Sequence, residues 1–158
     1  MRSGVIVSFL EALKYDVYQL HGGHKSFRKY VVDRLEKYDL KPKVIVVWGL
    51  TCTGKTDLLN QFPNSIDIEG LAQHNGSLYG AMGKVPRSQY AFDNLLLRRL
   101  DSLQKENYIL LEGESRRIGD LMIPAFLYKA MLKGTHVLLK RSLEKRAELC
   151  AKEYFNGK

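Results

Sequence analysis

Cysteine is scarce in this chain. Of its 158 residues only Cys52 and Cys150 carry a thiol, one inside a glycine-rich loop and the other in a charged stretch near the C-terminus. A disulfide framework is excluded on that count, and neither spacing fits a cysteine-based metal site. Long apolar runs are also missing. The longest, Val44 to Trp48 and Tyr108 to Leu111, fall far short of the roughly 20 residues needed to cross a bilayer, and the N-terminus lacks a signal-peptide pattern. These features predict a cytoplasmic protein with no membrane contact. Asn75-Gly76-Ser77 has the form of a glycosylation acceptor, but in that compartment it reads as a turn. Acidic residues are outnumbered, 17 against 25 Lys and Arg, for a net charge of +8. Such a surface attracts polyanions such as RNA by counterion release, although a lysine-coated solvated face gives the same balance.

What is present is a normal apolar content of 45% with 27% charged residues, the composition of one folded domain with an appendage. The join falls near Tyr38 to Pro42, because Pro42 disfavours helix at Lys41 and opens an extended run. Before it, the pattern predicts a helix over Val5 to Leu13, a short strand over Val17 to Leu20, a turn at Gly22-Gly23 and an amphipathic helix over Ser26 to Tyr38. Two helices and a strand bury too little to fold alone, so residues 1–40 must pack on the main domain or complete another protein. From residue 41 to 158, strands and helices alternate. Strands are expected at Lys43 to Trp48, Ile66 to Ile68, Tyr108 to Leu111 (buried on both faces) and His136 to Leu139. Helices are expected at Lys55 to about Phe62, Arg87 to Lys105, Ala125 to Leu132 and Leu143 to Tyr154. Phe92, Leu95, Leu96, Leu100 and Leu103 recur at helical spacing and should lie on the sheet. The alternation predicts an α/β fold with a parallel sheet flanked by helices.

Gly49-Leu50-Thr51-Cys52-Thr53-Gly54-Lys55-Thr56 satisfies G-x-x-x-x-G-K-[ST] at every fixed position, directly after an apolar β-run and before a helical pattern. At ordinary residue frequencies a chain of this size matches by chance about once in two hundred. The residue types follow from the task. Gly49 and Gly54 allow backbone conformations that turn successive N–H groups inward on an anion. Lys55 brings a point charge to the outer phosphate, and the Thr56 hydroxyl is a ligand for Mg²⁺ where a metal is used. Cys52 reads either as a small filler or as a thiol activated by a helix start.

A loop of this kind needs an acid at the carboxyl end of a neighbouring strand, to hold Mg²⁺ or to work as a base. Asp67 and Glu69 follow one strand, and Glu112 and Glu114 follow another. Each is otherwise a solvated or helix-capping charge. Arg116 and Arg117, just beyond, suit a clamp on phosphate or an RNA backbone, or simply the surface. His74 falls on a loop, where it serves as a proton donor or ligand contact if it acts at all.

Taken together, Gly49 to Thr56, Asp67-Ile68-Glu69-Gly70-Leu71-Ala72-Gln73-His74-Asn75-Gly76-Ser77, Ser88-Gln89 with Phe92-Asp93-Asn94, and Glu112-Gly113-Glu114-Ser115-Arg116-Arg117-Ile118-Gly119 resemble the tRNA 2-selenouridine synthase family. That family joins an N-terminal rhodanese domain to a P-loop domain. The resemblance implies conversion of wobble 2-thiouridine in tRNA to 2-selenouridine through an S-geranylated intermediate, with geranyl diphosphate and selenophosphate as substrates. It implies catalytic roles for Lys55, Glu112 and Glu114, substrate or tRNA contacts at His74, Ser88, Gln89, Arg116 and Arg117, and metal contacts at Thr56 and Asp67. Arg2-Ser3 and Leu20-His21-Gly22-Gly23-His24-Lys25 with Phe27-Arg28 resemble the closing portion of the rhodanese domain. Its catalytic cysteine would lie just upstream, so a separate polypeptide carrying that cysteine is the expected partner.

Two other readings stay open at the level of sequence. The strand and loop order suits an ATP-dependent small-molecule kinase or NTPase equally well, although the usual Asp is replaced by Glu. A non-catalytic half that completes a rhodanese partner is the third.

Overall fold

Pro42 is buried, and the chain passes from it straight into the first strand. The computed structural model describes residues 2–74 and 85–155, so the Asn75-Gly76-Ser77 turn lies outside the described residues. The elements, in order, are α1 (Arg2–Ala12), α2 (Gly23–Glu36), β1 (Lys43–Trp48), α3 (Lys55–Leu59), β2 (Ser65–Ile66), α4 (Ile68–Ala72), α5 (Gln89–Ser102), β3 (Tyr108–Glu112), β4 (Arg117–Ile118), β5 (Leu121–Met122), α6 (Ala125–Lys133), β6 (Thr135–Leu138) and α7 (Leu143–Phe155). β1, β2, β3 and β6 form a four-stranded sheet in the order β2-β3-β1-β6, and every pairing in it is parallel. The α/β architecture expected from the alternation is therefore the one observed.

Strand side chains alternate between faces, and the two faces are covered unequally. Val44 and Val46 of β1 and Ile109 and Leu111 of β3 join one large apolar cluster with Phe92, Leu96 and Leu100 of α5 and Leu127 and Met131 of α6. Val47 and Leu110 point the other way and meet Leu59 of α3 in a smaller cluster. Leu97, not Leu95, completes the buried stripe of α5.

α2 belongs to the large cluster through Val31 and Leu35. Arg28 of α2 donates to Asp93 of α5 at 2.7 Å, and Arg34 to Asp101 at 2.7 Å. The segment before Pro42 is thus tied to the main domain as far as α2. α1 leaves Val5, Ile6 and Phe9 exposed, and Leu13 just beyond it is exposed as well.

Several sequence expectations are corrected. Residues 17–20 form no strand, because the alternation of Val17-Tyr18-Gln19-Leu20 finds no partner strand and two-residue faces cannot hold one alone. The second strand stops at Ile66, since Asp67 turns the chain and caps α4. α3 ends at Leu59, short of Phe62. Tyr108 is half-exposed at the start of β3, so burial on both faces holds only from Ile109 onward. An antiparallel β4–β5 hairpin, for which the sequence pattern shows no strand, follows β3.

Candidate functional site

The parallel register sets β1 beside β3 with Val47 opposite Glu112. The loop leaving β1 and the acids leaving β3 therefore emerge side by side at the carboxyl ends of adjacent strands, where ligands of open α/β sheets bind. Within the loop, Thr53 Oγ1 donates to the Leu50 carbonyl at 2.8 Å and its N–H to the same oxygen at 3.2 Å. That double contact closes a tight turn. Cys52 is buried with a left-handed φ of 59°, and Gly54 precedes α3 at φ 87°, a value that favours glycine. Thr56 is exposed on the first turn of α3.

Lys55 folds back over this turn. Its Nζ donates to the Gly49 carbonyl at 3.1 Å and lies 3.6 Å from Glu112 Oε1. Glu112 is 1% exposed, and its other oxygen, Oε2, has no hydrogen-bond partner among the described residues. A buried carboxylate oxygen left unpaired is costly, and a proton or a cation relieves it. Glu112, Glu69 and Glu114 each bring an oxygen within 4.8 Å of the others. Burial raises the Glu112 carboxyl to about 8, helped by the negative charges of Glu69, Asp67 and Glu114 and opposed by Lys55. Burial also raises Glu114, to about 7, with the neighbouring Glu69 adding to it. Three carboxylates with an orphaned buried oxygen match the hard oxygen ligands that Mg²⁺ takes.

Glu69 enters this cluster because Asp67 starts a helix. Asp67 Oδ1 accepts from the Gly70 N–H at 2.8 Å, so α4 begins at Ile68 and Glu69 falls in its first turn. Asp67 spends one oxygen on the cap while its charge still acts on Glu112. On the other flank, the Trp48 ring lies so close to Gly113 that a Cβ there would sit 2.5 Å from it. Trp48 Nε1 also donates to His136 Nδ1 at 2.7 Å.

The remaining candidates sit further out. Ser88 caps α5, its hydroxyl accepting from the Ala91 N–H at 3.3 Å. Gln89 ties α5 to the hairpin: it donates to Asp93 at 2.7 Å and to the Met122 carbonyl at 3.0 Å, and accepts from the Met122 N–H at 2.8 Å. The Arg117 guanidinium bonds the Gly119 carbonyl at 2.8 Å and Asp120 at 3.2 Å, which holds the hairpin turn. Arg116 is exposed. The His74 ring packs where a Gly119 Cβ would be, with Nδ1 buried and without a partner among the described residues. Two basic residues passed over in the sequence, Arg141 and Arg146, approach the loop: Arg146 Nε donates to the Thr51 carbonyl at 3.0 Å. No short-range pattern marks them, since the connection that leaves β6, paired with β1, brings them there.

A parallel α/β sheet with this loop between an inner strand and the next helix defines a P-loop-like domain. Residues 42–158 match the family model described as the tRNA 2-selenouridine synthase AAA domain, and the chain belongs to that family. A tRNA 2-selenouridine synthase of Shewanella frigidimarina (strain NCIMB 400) is 31% identical over 160 residues, covering 100% of this chain and 44% of that protein. One of Pseudomonas syringae pv. syringae (strain B728a) is 33% identical over 158 residues, covering 98% and 43%. The chain thus spans less than half the length of these curated relatives. Among solved structures, AMPPCP-bound DnaA from Aquifex aeolicus aligns at 14% identity with a TM-score of 0.35, over 88% of this chain and 53% of that one, a likeness too distant to carry argument.

Proposed function

We propose that this chain is the phosphate-binding part of a transferase that converts wobble 2-thiouridine in tRNA to 2-selenouridine through an S-geranylated intermediate. The observation that carries the reading is the Lys55 ammonium at the mouth of the loop, held 3.6 Å from the buried Glu112. An ammonium fixed in advance at an anion site loses little freedom when charge builds there.

In this reading the loop amides and Lys55 receive the diphosphate of geranyl diphosphate. As the tRNA sulfur bonds to the geranyl carbon, the C–O bond breaks, the N3 proton of the thiouracil ring passes to solvent, and pyrophosphate departs with its new charge on these donors. In the later exchange the selenium of selenophosphate bonds to C2 of the uracil ring as geranylthiol leaves, water then cleaves the Se–P bond, and the same loop receives the phosphate. Thr56, Glu112, Glu69 and Glu114 would hold Mg²⁺, which supplies charge neutralisation to the diphosphate. The net charge of +8 and the exposed Arg116 favour a polyanionic substrate. The apolar residues exposed along α1, Val5, Ile6 and Phe9, would be covered by a cysteine-bearing rhodanese unit.

The test is reconstitution of the chain with such a rhodanese polypeptide, wobble-thiolated tRNA, geranyl diphosphate and selenophosphate, read by mass spectrometry of tRNA nucleosides. Geranylated and then selenated uridine is expected, and the Lys55→Ala chain should form neither. Equal product from the Lys55→Ala chain contradicts the reading; ATP turnover in place of geranyl transfer would favour a kinase or NTPase.

A further inference from the structure

We infer that Arg141, in the connection between β6 and α7, is a second side-chain cation on the anion held by the Gly49–Thr56 loop. The inference rests on the reading that this loop binds a diphosphate.

Two contacts fix the β6–α7 connection against the loop. The Leu139 N–H donates to the Trp48 carbonyl at 2.7 Å, one residue before Gly49. At the other end, Arg146 in the first turn of α7 donates to the Thr51 carbonyl at 3.0 Å, and its own N–H bonds the Ser142 carbonyl at 3.0 Å. Arg141 lies between these two anchors. Its guanidinium comes to rest over Gly54, with Nη2, Cζ and Nη1 at 3.3, 3.5 and 3.6 Å from the point a Cβ would occupy. The whole planar end of the side chain is therefore at the loop, beside the residue that precedes Lys55.

The second observation is what Arg141 lacks. Among the described residues its guanidinium has no carboxylate or carbonyl partner, whereas the nearby Arg146 is spent on a loop carbonyl. A guanidinium carries five donors in a flat fork that matches phosphate oxygens in pairs. With its backbone fixed by the flanking anchors, its exposed guanidinium beside Gly54 and no internal acceptor among the described residues, Arg141 has its donors available for an anion in that turn. Lys55, by contrast, is already engaged with Gly49 and Glu112. Arg141 thus contacts the phosphoanion directly, and adds bidentate geometry to the point charge of Lys55.

The experiment is calorimetric titration of the whole chain with inorganic pyrophosphate, on wild type and on the Arg141→Ala, Arg141→Lys, Lys140→Ala and Lys55→Ala variants. Lys140 is exposed beside Arg141 and controls for loss of one positive charge. A charge-assisted hydrogen bond predicts that Arg141→Ala weakens pyrophosphate about 10- to 100-fold. Arg141→Lys should fall in between, and Lys140→Ala should stay within about twofold. Melting temperatures verify that each variant is folded, and Arg141→Lys carries the test if the alanine variant is not. Unchanged affinity in Arg141→Ala, with binding lost in Lys55→Ala, overturns the role of Arg141 alone. Equal losses from Arg141→Ala and Lys140→Ala reduce it to net charge and overturn it as well. Wild-type binding that Lys55→Ala leaves untouched removes the loop reading, and Arg141 with it.

Discussion

The indole of Trp48 lies against the bare backbone of Gly113, whose N–H donates to the Val47 carbonyl at 2.8 Å. A Cβ at Gly113 would stand 2.5 Å from Cδ2 and Cε3 of that ring. Glycine is required there by close approach, and the requirement falls between the two glutamates of the site. Gly113→Ala should destabilise the fold by about 1–3 kcal/mol, the usual cost of overpacking. Denaturant titration measures it. Trp48 is the single tryptophan of the chain, so its emission should shift in the same variant. An unaltered midpoint and spectrum would show that the ring is not confined as described.

Glu112 and Glu114 make stability fall as pH rises. Burial first, then the negative charge of Glu69, lift Glu112 from 4.5 to about 8 and Glu114 to about 7. The folded chain therefore keeps protons that the unfolded chain has released. Their stabilising effect is complete below the ordinary value and is lost as pH climbs through about 7 and then about 8. Unfolding midpoints measured in chelator from acid to mildly alkaline pH should decline across that window. Glu112→Gln should flatten the decline, because the amide cannot ionise. Midpoints that rise over the same range contradict the assignment.

A divalent cation should reverse that loss. Mg²⁺ or Mn²⁺ added to the chelated protein is expected to raise the melting temperature, by about 2.7 kcal/mol of stabilisation at a hundredfold excess over Kd. The gain should be largest at alkaline pH, where the carboxylates are free to bind. Glu112→Gln should lose most of it. Equal gains in both proteins would move the cation elsewhere.

The ion pair between Arg28 and Asp93 supports α2 on α5. Asp93 is buried and also accepts from Gln89 at 2.7 Å. Arg28→Ala leaves that carboxylate short of its cation and should cost about 2–3 kcal/mol, the partly exposed Arg28 side letting water screen the loss. Adding Asp93→Asn should recover part of the loss, since the uncompensated charge is then gone. A double variant as unstable as the single one would place the cost in packing instead.

Much of this site is legible in the sequence because its chemistry is contiguous. Gly49 to Thr56 needs only local spacing, and its flanking strand and helix are long enough to show their periods. Glu112 and Glu114 are placed by the apolar run before them. Glu69 is harder: whether it or Asp67 faces the loop depends on α4 starting at Ile68, and that follows from a single capping bond. The β4–β5 hairpin has strands of two residues each, too short for any alternation to register. Ser88 and Gln89 resemble family positions, yet their hydrogen bonds go to the cap of α5 and to Met122. Arg141 is the opposite case, an unremarkable basic residue in sequence that the connection leaving β6 carries some ninety positions back to Gly54.

Calorimetric titration of the chain with geranyl diphosphate, in wild type and Lys55→Ala, tests the central claim most directly. The account predicts saturable binding by the wild type and a loss of about tenfold or more in the variant, as expected for a charge-assisted contact removed. Binding of equal strength in both proteins would contradict it.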